Sequence, residues 1–116
     1  MMTITIWHNP RCSKSRETLK LIEDKGITPR VRLYLEDTPT ITELRSALGK
    51  LNLTAQQLVR SKEAIFKELG LNNSGADEDM LLAAMVEHPK LIERPVVFSP
   101  KGAVLGRPPE NVLEIL

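Results

Sequence analysis

Cys12 is the only cysteine among the 116 residues, and its neighbours are of the types that ionise a thiol. Thr3–Trp7 alternates and is rich in β-branched residues, Asn9-Pro10 interrupts it, and a helical pattern begins at about Ser13. A thiol at such a junction meets the free N–H groups and the positive dipole end of a helix, and both favour a thiolate. Arg11, Lys14 and Arg16 add charge in the same direction. An ordinary thiol is only a few per cent ionised at neutral pH, so a downward shift turns a bystander into a nucleophile. The alternative for any lone cysteine is a buried, inert side chain. The strand–Pro–Arg–Cys–helix context favours the nucleophile.

Ser15 makes the segment Cys-x-x-Ser. A hydroxyl one turn below a thiolate can donate to it, and an exposed helix-surface serine is an equally ready reading. With no second cysteine, a redox cycle must finish with a thiol from outside. A phosphatase-type loop needs Cys-x5-Arg. Here the fifth and sixth residues after Cys12 are Glu17 and Thr18, so that chemistry fails on spacing. Arg94 stands directly before Pro95, and Arg107 directly before Pro108-Pro109. A guanidinium fork binds tetrahedral oxyanions bidentately, and an adjacent proline stiffens the backbone that aims it. Taken singly, each arginine reads more readily as a solvated surface group. His8 and His88 cannot build a metal site without carboxylates placed by the fold, so no metal is expected.

The elements that would hold these residues read as follows. A strand over Thr3–Trp7 leads to a helix over about Ser13–Lys25, with Leu19 and Ile22 on one face and Gly26 as its stop. Arg30–Leu35 alternates, with Val31, Leu33 and Leu35 on one face and Arg30, Arg32 and Tyr34 on the other. It reads as a second strand, parallel to the first because a helix joins them. Thr40-x-x-Glu43 and Thr54-x-x-Gln57 are capping boxes. A third helical stretch over about Lys62–Leu69 ends at Gly70, and Asn72–Gly75 reads as a loop. Asp77 or a neighbour starts a helix that turns Met80, Leu81, Ala84 and Met85 to the core and ends at His88-Pro89. Val96–Phe98 and Ala103–Leu105 around Ser99-Pro100-Lys101-Gly102 form a hairpin, and Arg107-Pro108-Pro109-Glu110 opens a short final helix. The order β-α-β, helical block, β-β-α is that of an α/β thioredoxin-like fold. One domain over 1–116 is expected, with a helical insertion at about 40–88. Pro95 before a strand resembles the cis-proline that faces the thiol in thioredoxin-like proteins, so Arg94–Pro95 is predicted to be cis.

Composition excludes several classes. Apolar residues make up 41% and charged residues 27%, which is ordinary for a globular chain. Sixteen basic against fifteen acidic residues leave a net charge of +1, so no bulk field draws the chain to nucleic acid or anionic lipid. A disulfide-stapled scaffold and a cysteine-rich zinc site are ruled out by the cysteine count. No Lys or Arg precedes Arg11, Ile4–Trp7 is too short for a signal core, and the longest apolar run is Leu81–Val86. A soluble, monomeric, cytoplasmic protein with a free thiol is expected.

The segment His8-Asn9-Pro10-Arg11-Cys12-Ser13-Lys14-Ser15-Arg16 resembles the active-site segment of the glutaredoxin-coupled arsenate reductase family. Tyr34-Leu35-Glu36, Leu58-Val59-Arg60, Glu68-Leu69-Gly70, His88-Pro89-x-Leu91-Ile92-x-Arg94-Pro95 and Gly106-Arg107-Pro108 follow in that family's order, and the short members are the most similar. The resemblance implies a thioredoxin-like fold with a helical insertion. It implies that Cys12 attacks arsenate, that glutathione as co-substrate displaces a second oxygen, and that glutaredoxin carries the electrons. It assigns oxyanion binding to Arg60, Arg94 and Arg107, and of these Arg60 would otherwise read as an ordinary solvated helix charge. His8 matches too, either tuning the thiolate or capping the strand end. No bound cofactor is implied. Two other classes fit the same residues: a glutathione-dependent thiol/disulfide reductase, and a regulator like the Spx-like proteins that bind RNA polymerase. Those regulators usually carry Cys-x-x-Cys and lack the full arginine set, which favours the enzyme.

Overall fold

In the computed structural model, residues 3–71 and 77–116 are described; the loop expected at Asn72–Gly75 lies outside them. The chain groups into two compact units, Met1–Asp37 with Arg94–Leu116, and Thr38–Glu93.

The first unit carries the sheet. β1 (Thr5–Trp7) leads through His8–Cys12 into α1 (Ser13–Asp24), which returns to β2 (Arg30–Arg32). β3 (Val96–Ser99) and β4 (Gly102–Leu105) form the hairpin, and a 3-10 segment, Pro109–Glu114, follows. Strand order is β2-β1-β3-β4, with β1 parallel to β2, antiparallel to β3, and β3 antiparallel to β4. This is the expected α/β thioredoxin-like arrangement.

Alternation along β1 decides which side chains meet. Ile4 and Ile6 point to a core shared with Ile22 of α1, Val97, Val112 and Ile115. Truncating Ile22 there would cost about 2–5 kcal/mol. Trp7 points to the opposite face, where its ring is 5.0 Å from that of Phe98 and the Arg32 guanidinium lies 5.8 Å above it. α1 stops because Gly26 takes φ 77°, a left-handed turn in which its N–H reaches Glu23 O at 2.9 Å.

The second strand corrects the sequence reading. It is three residues long, because the N–H groups of Glu36 and Asp37 both turn back to the Leu33 carbonyl. Val31, Leu33 and Leu35 are 47%, 38% and 41% exposed, while Tyr34 is buried. β2 is an edge strand, so Val31, although paired in register with Ile6, stays at the open margin of the sheet and outside the core cluster.

The second unit is helical. α2 (Ile41–Leu51), α3 (Ala55–Leu58), α4 (Ala64–Glu68) and α5 (Glu78–Glu87) precede a 3-10 turn at Pro89–Leu91. Thr40 and Thr54 each close a capping box, with Glu43 and Gln57, and Asp77 caps α5 through the Met80 N–H. α2 and α3 both pack on α5, with Leu44, Leu48, Leu58, Leu82 and Met85 buried. Met80 is 48% exposed, another departure: it sits in the first turn of α5, before the buried positions begin at Leu81. Val59 bridges to Ile92. Among the described residues, no helix is long and apolar enough to cross a membrane.

Candidate active site

Cys12 is the N-cap of α1, with extended backbone (φ −95°, ψ 123°). The turn that delivers it is closed by two bonds: its own N–H to Asn9 O at 3.0 Å, and the Arg11 N–H to Asn9 Oδ1 at 3.0 Å. The first helical bond runs from the Arg16 N–H to Cys12 O at 3.0 Å. The sulfur therefore occupies the position from which a serine or aspartate oxygen would cap the helix. It makes no cap bond of that kind, yet the N–H groups of Ser15 and Lys14 still favour its charged form.

Cys12 is 9% exposed. That burial is the largest influence on the thiol and pushes it up. The Ser15 N–H, the positive charge of Arg94, the Lys14 N–H and a hydrogen bond from the Arg94 guanidinium together outweigh it, so the thiol titrates below its ordinary value. The cation that matters is thus Arg94, brought by the fold, rather than the neighbours Arg11, Lys14 and Arg16. Lys14 lies 3.9 Å from Glu17, and Arg16 donates to Pro10 O at 2.8 Å.

Arg94 is placed by the segment entering β3. The Arg94–Pro95 bond is cis, as expected, and Arg107–Pro108 is cis as well. The two segments are joined: the Gly106 N–H donates to Pro95 O at 3.0 Å, and Arg107 Nη1 donates to Arg94 O at 3.4 Å. Cys12, Arg94, Pro95 and Arg107 are thereby linked within one unit.

His8 and Ser15 form a buried pair beneath this site. His8 Nδ1 lies 2.6 Å from Ser15 Oγ, and the same oxygen accepts the Asn9 N–H at 3.0 Å. The expectation that the Ser15 hydroxyl donates to the sulfur changes accordingly. Its oxygen is engaged by His8 and Asn9, and the backbone N–H of Ser15 is the group acting on Cys12. Burial, then the charge of Arg16, lowers His8 below the usual imidazole value, against a smaller opposing influence of Glu23. Burial and the Arg16 charge both favour the neutral ring. The His8 N–H also extends the ladder to β2, donating to Arg32 O at 2.8 Å.

Arg60 belongs to the second unit. Its N–H donates to Leu91 O at 2.7 Å, and its guanidinium lies 2.6 Å from Glu63, 3.9 Å from Glu93 and 3.3 Å from Lys90 O. Two carboxylates therefore attend this cation. Among the described residues, no cluster of three or more His, Cys, Asp or Glu side chains has metal-binding geometry. Two residues gained no role from the sequence alone: Thr18, a buried polar side chain on α1, and Gly106, which packs on it. A glycine directly before Arg107-Pro108 was the only available signal.

The sequence model of the ArsC family matches residues 7–115. The chain belongs to the ArsC family. This ArsC-family chain is 50% identical to YfgD of Escherichia coli (strain K12), an uncharacterized protein, over 97% of this chain and 96% of that one. It is 47% identical to an arsenate reductase of Haemophilus influenzae, over 99% and 100%. Among solved structures it is similar to an arsenate reductase from Vibrio cholerae, with TM-score 0.96 and 52% identity over 99% of this ArsC-family chain and 98% of that one.

Proposed function

We propose that the protein is an arsenate reductase in which Cys12 is the nucleophile and glutathione and glutaredoxin supply the electrons. The observation that carries this reading is Arg94 at the sulfur of a helix-capping cysteine, with Arg107 bonded to the Arg94 carbonyl. The names of the full-length relatives support it. Arsenate carries about two negative charges near neutrality, and guanidinium donors fixed before it arrives need no reorganisation when it reacts. The Cys12 thiolate attacks As(V), forming an S–As bond and releasing one oxygen as water. The glutathione thiol displaces a second oxygen as water. A glutaredoxin thiolate then attacks the glutathione sulfur, the S–As electron pair stays on arsenic, and As(V) becomes As(III) as the mixed disulfide forms. Water releases arsenite and restores Cys12. Two thiols supply the two electrons, as a single-cysteine chain requires.

Arsenate-dependent NADPH oxidation with glutathione, glutaredoxin and glutathione reductase tests this. Turnover in the wild type and none in Cys12→Ser is expected. No wild-type turnover, or full turnover in Cys12→Ser, overturns it. A glutathionylated protein in place of arsenate reads the thiol/disulfide reductase in the same assay.

A further inference from the structure

Gly106 is buried directly after β4, where the chain passes between α1 and the Arg94–Pro95 segment. A Cβ at this position would fall 2.7 Å from Pro95 Cγ and 3.0 Å from Thr18 Cγ2, and would collide with Thr18 Oγ1. None of these atoms can retreat easily. The Pro95 ring is rigid and buried, and Thr18 is fully buried on α1, the helix that Cys12 caps. The Thr18 hydroxyl donates to Lys14 O at 2.8 Å and also reaches Gly106 O at 3.4 Å. On the other side, the Gly106 N–H donates to Pro95 O at 3.0 Å. Residue 106 is thus held through its N–H to the residue after Arg94, while its carbonyl lies beside the Thr18 hydroxyl, whose single proton goes to Lys14 O on the helix that Cys12 caps. Arg107 follows immediately and donates to Arg94 O.

We propose that Gly106 is a positioning residue of the thiolate site: its missing side chain seats the 106–107 backbone against Thr18 and Pro95, which fixes Arg107 on the Arg94 carbonyl and Arg94 at the Cys12 sulfur. This role rests on Cys12 as the working thiolate and is independent of arsenate as its substrate. A glycine serving only to fill the core would affect stability alone. A positioning glycine also sets how strongly Arg94 acts on the sulfur.

The pH dependence of Cys12 alkylation by iodoacetamide, measured on the intact protein beside its melting temperature, separates the two roles. In Gly106→Ala the alkylation midpoint is expected to rise. For each unit of that rise, the thiolate fraction at pH values below both midpoints falls about tenfold, and the rate falls by about three- to fourfold because the more basic thiolate is the better nucleophile. Thr18→Val keeps the shape and removes the hydroxyl, so it should shift the midpoint in the same direction by less; Thr18→Ser should restore the wild-type profile. A folded Gly106→Ala protein with the wild-type profile and only a lower melting temperature overturns the proposal. If Gly106→Ala does not fold, Thr18→Val decides alone: a raised midpoint supports the proposal, and an unchanged one overturns it. Arsenate turnover is read separately. Midpoint shifts as expected with no wild-type turnover leave the positioning role standing and remove the arsenate reading.

Discussion

The Nδ1 atom of His8 lies 2.6 Å from the Oγ of Ser15, directly beneath the turn that carries Cys12. Both side chains are buried, and the hydroxyl also holds the Asn9 N–H. The turn that carries Cys12 therefore stands on a small polar anchor rather than on apolar packing alone. That anchor has a pH signature.

In the unfolded chain His8 takes up a proton near the usual pH of about 6.5. In the folded chain burial and Arg16 delay protonation to lower pH. Unfolding therefore binds a proton within this window, so stability rises with pH up to about 6.5 and is flat above it as far as this group is concerned. The wild type should lose melting temperature between pH 6.5 and pH 5 more steeply than His8→Asn. Parallel curves would show that the ring titrates normally.

Ser15→Ala separates the two parts of that residue. Loss of the hydroxyl strips His8 Nδ1 and the Asn9 N–H of a buried partner, which should cost about 1–3 kcal/mol in urea denaturation. The backbone N–H that favours the thiolate is retained. The alkylation midpoint of Cys12 should therefore stay close to wild type, and a large rise would return the hydroxyl to the sulfur.

Arg94→Ala removes the side-chain charge that, among the described residues, acts on Cys12, so the thiol midpoint should rise and thiolate reactivity at pH 6–7 should fall. Arg94→Lys keeps the charge without the fork and should fall between the two. An Arg94→Ala protein with the wild-type alkylation profile would transfer the effect to the helix N–H groups alone.

Arg60→Ala tests the part that the family resemblance gives this residue. Loss of one charged donor to an oxyanion is worth about 1.5–3 kcal/mol, or roughly ten- to a hundredfold in arsenate KM. The alkylation midpoint of Cys12 should stay close to wild type, since Arg94 and the helix N–H groups that favour the thiolate are retained. An unchanged KM would leave Arg60 as the partner of Glu63 and Glu93.

Locally encoded features were readable along the chain. Gly26 ends α1, Thr40 and Thr54 close their capping boxes, and a two-residue turn joins β3 and β4. Each depends on residues within a few positions of one another. The misread places depend on neighbours distant in sequence. Val31, Leu33 and Leu35 alternate as a half-buried strand would, but burial of that face depends on the position of β2 at the sheet edge. Spacing along the chain points only to the adjacent cations for the charge at Cys12; Arg94 comes into view there through the family resemblance, and the sheet brings it from the far end of the chain. Gly106 has an ordinary glycine's signature in sequence, and only the approach of Thr18 and Pro95 gives it a task.

Trp7 is the only tryptophan in the chain, and it is packed against Phe98 beneath Arg32, one residue before His8. Its fluorescence is therefore a built-in optical reporter. A change in emission on arsenylation or alkylation of Cys12 would show the event travelling back into β1, whereas silence would confine it to the helix start.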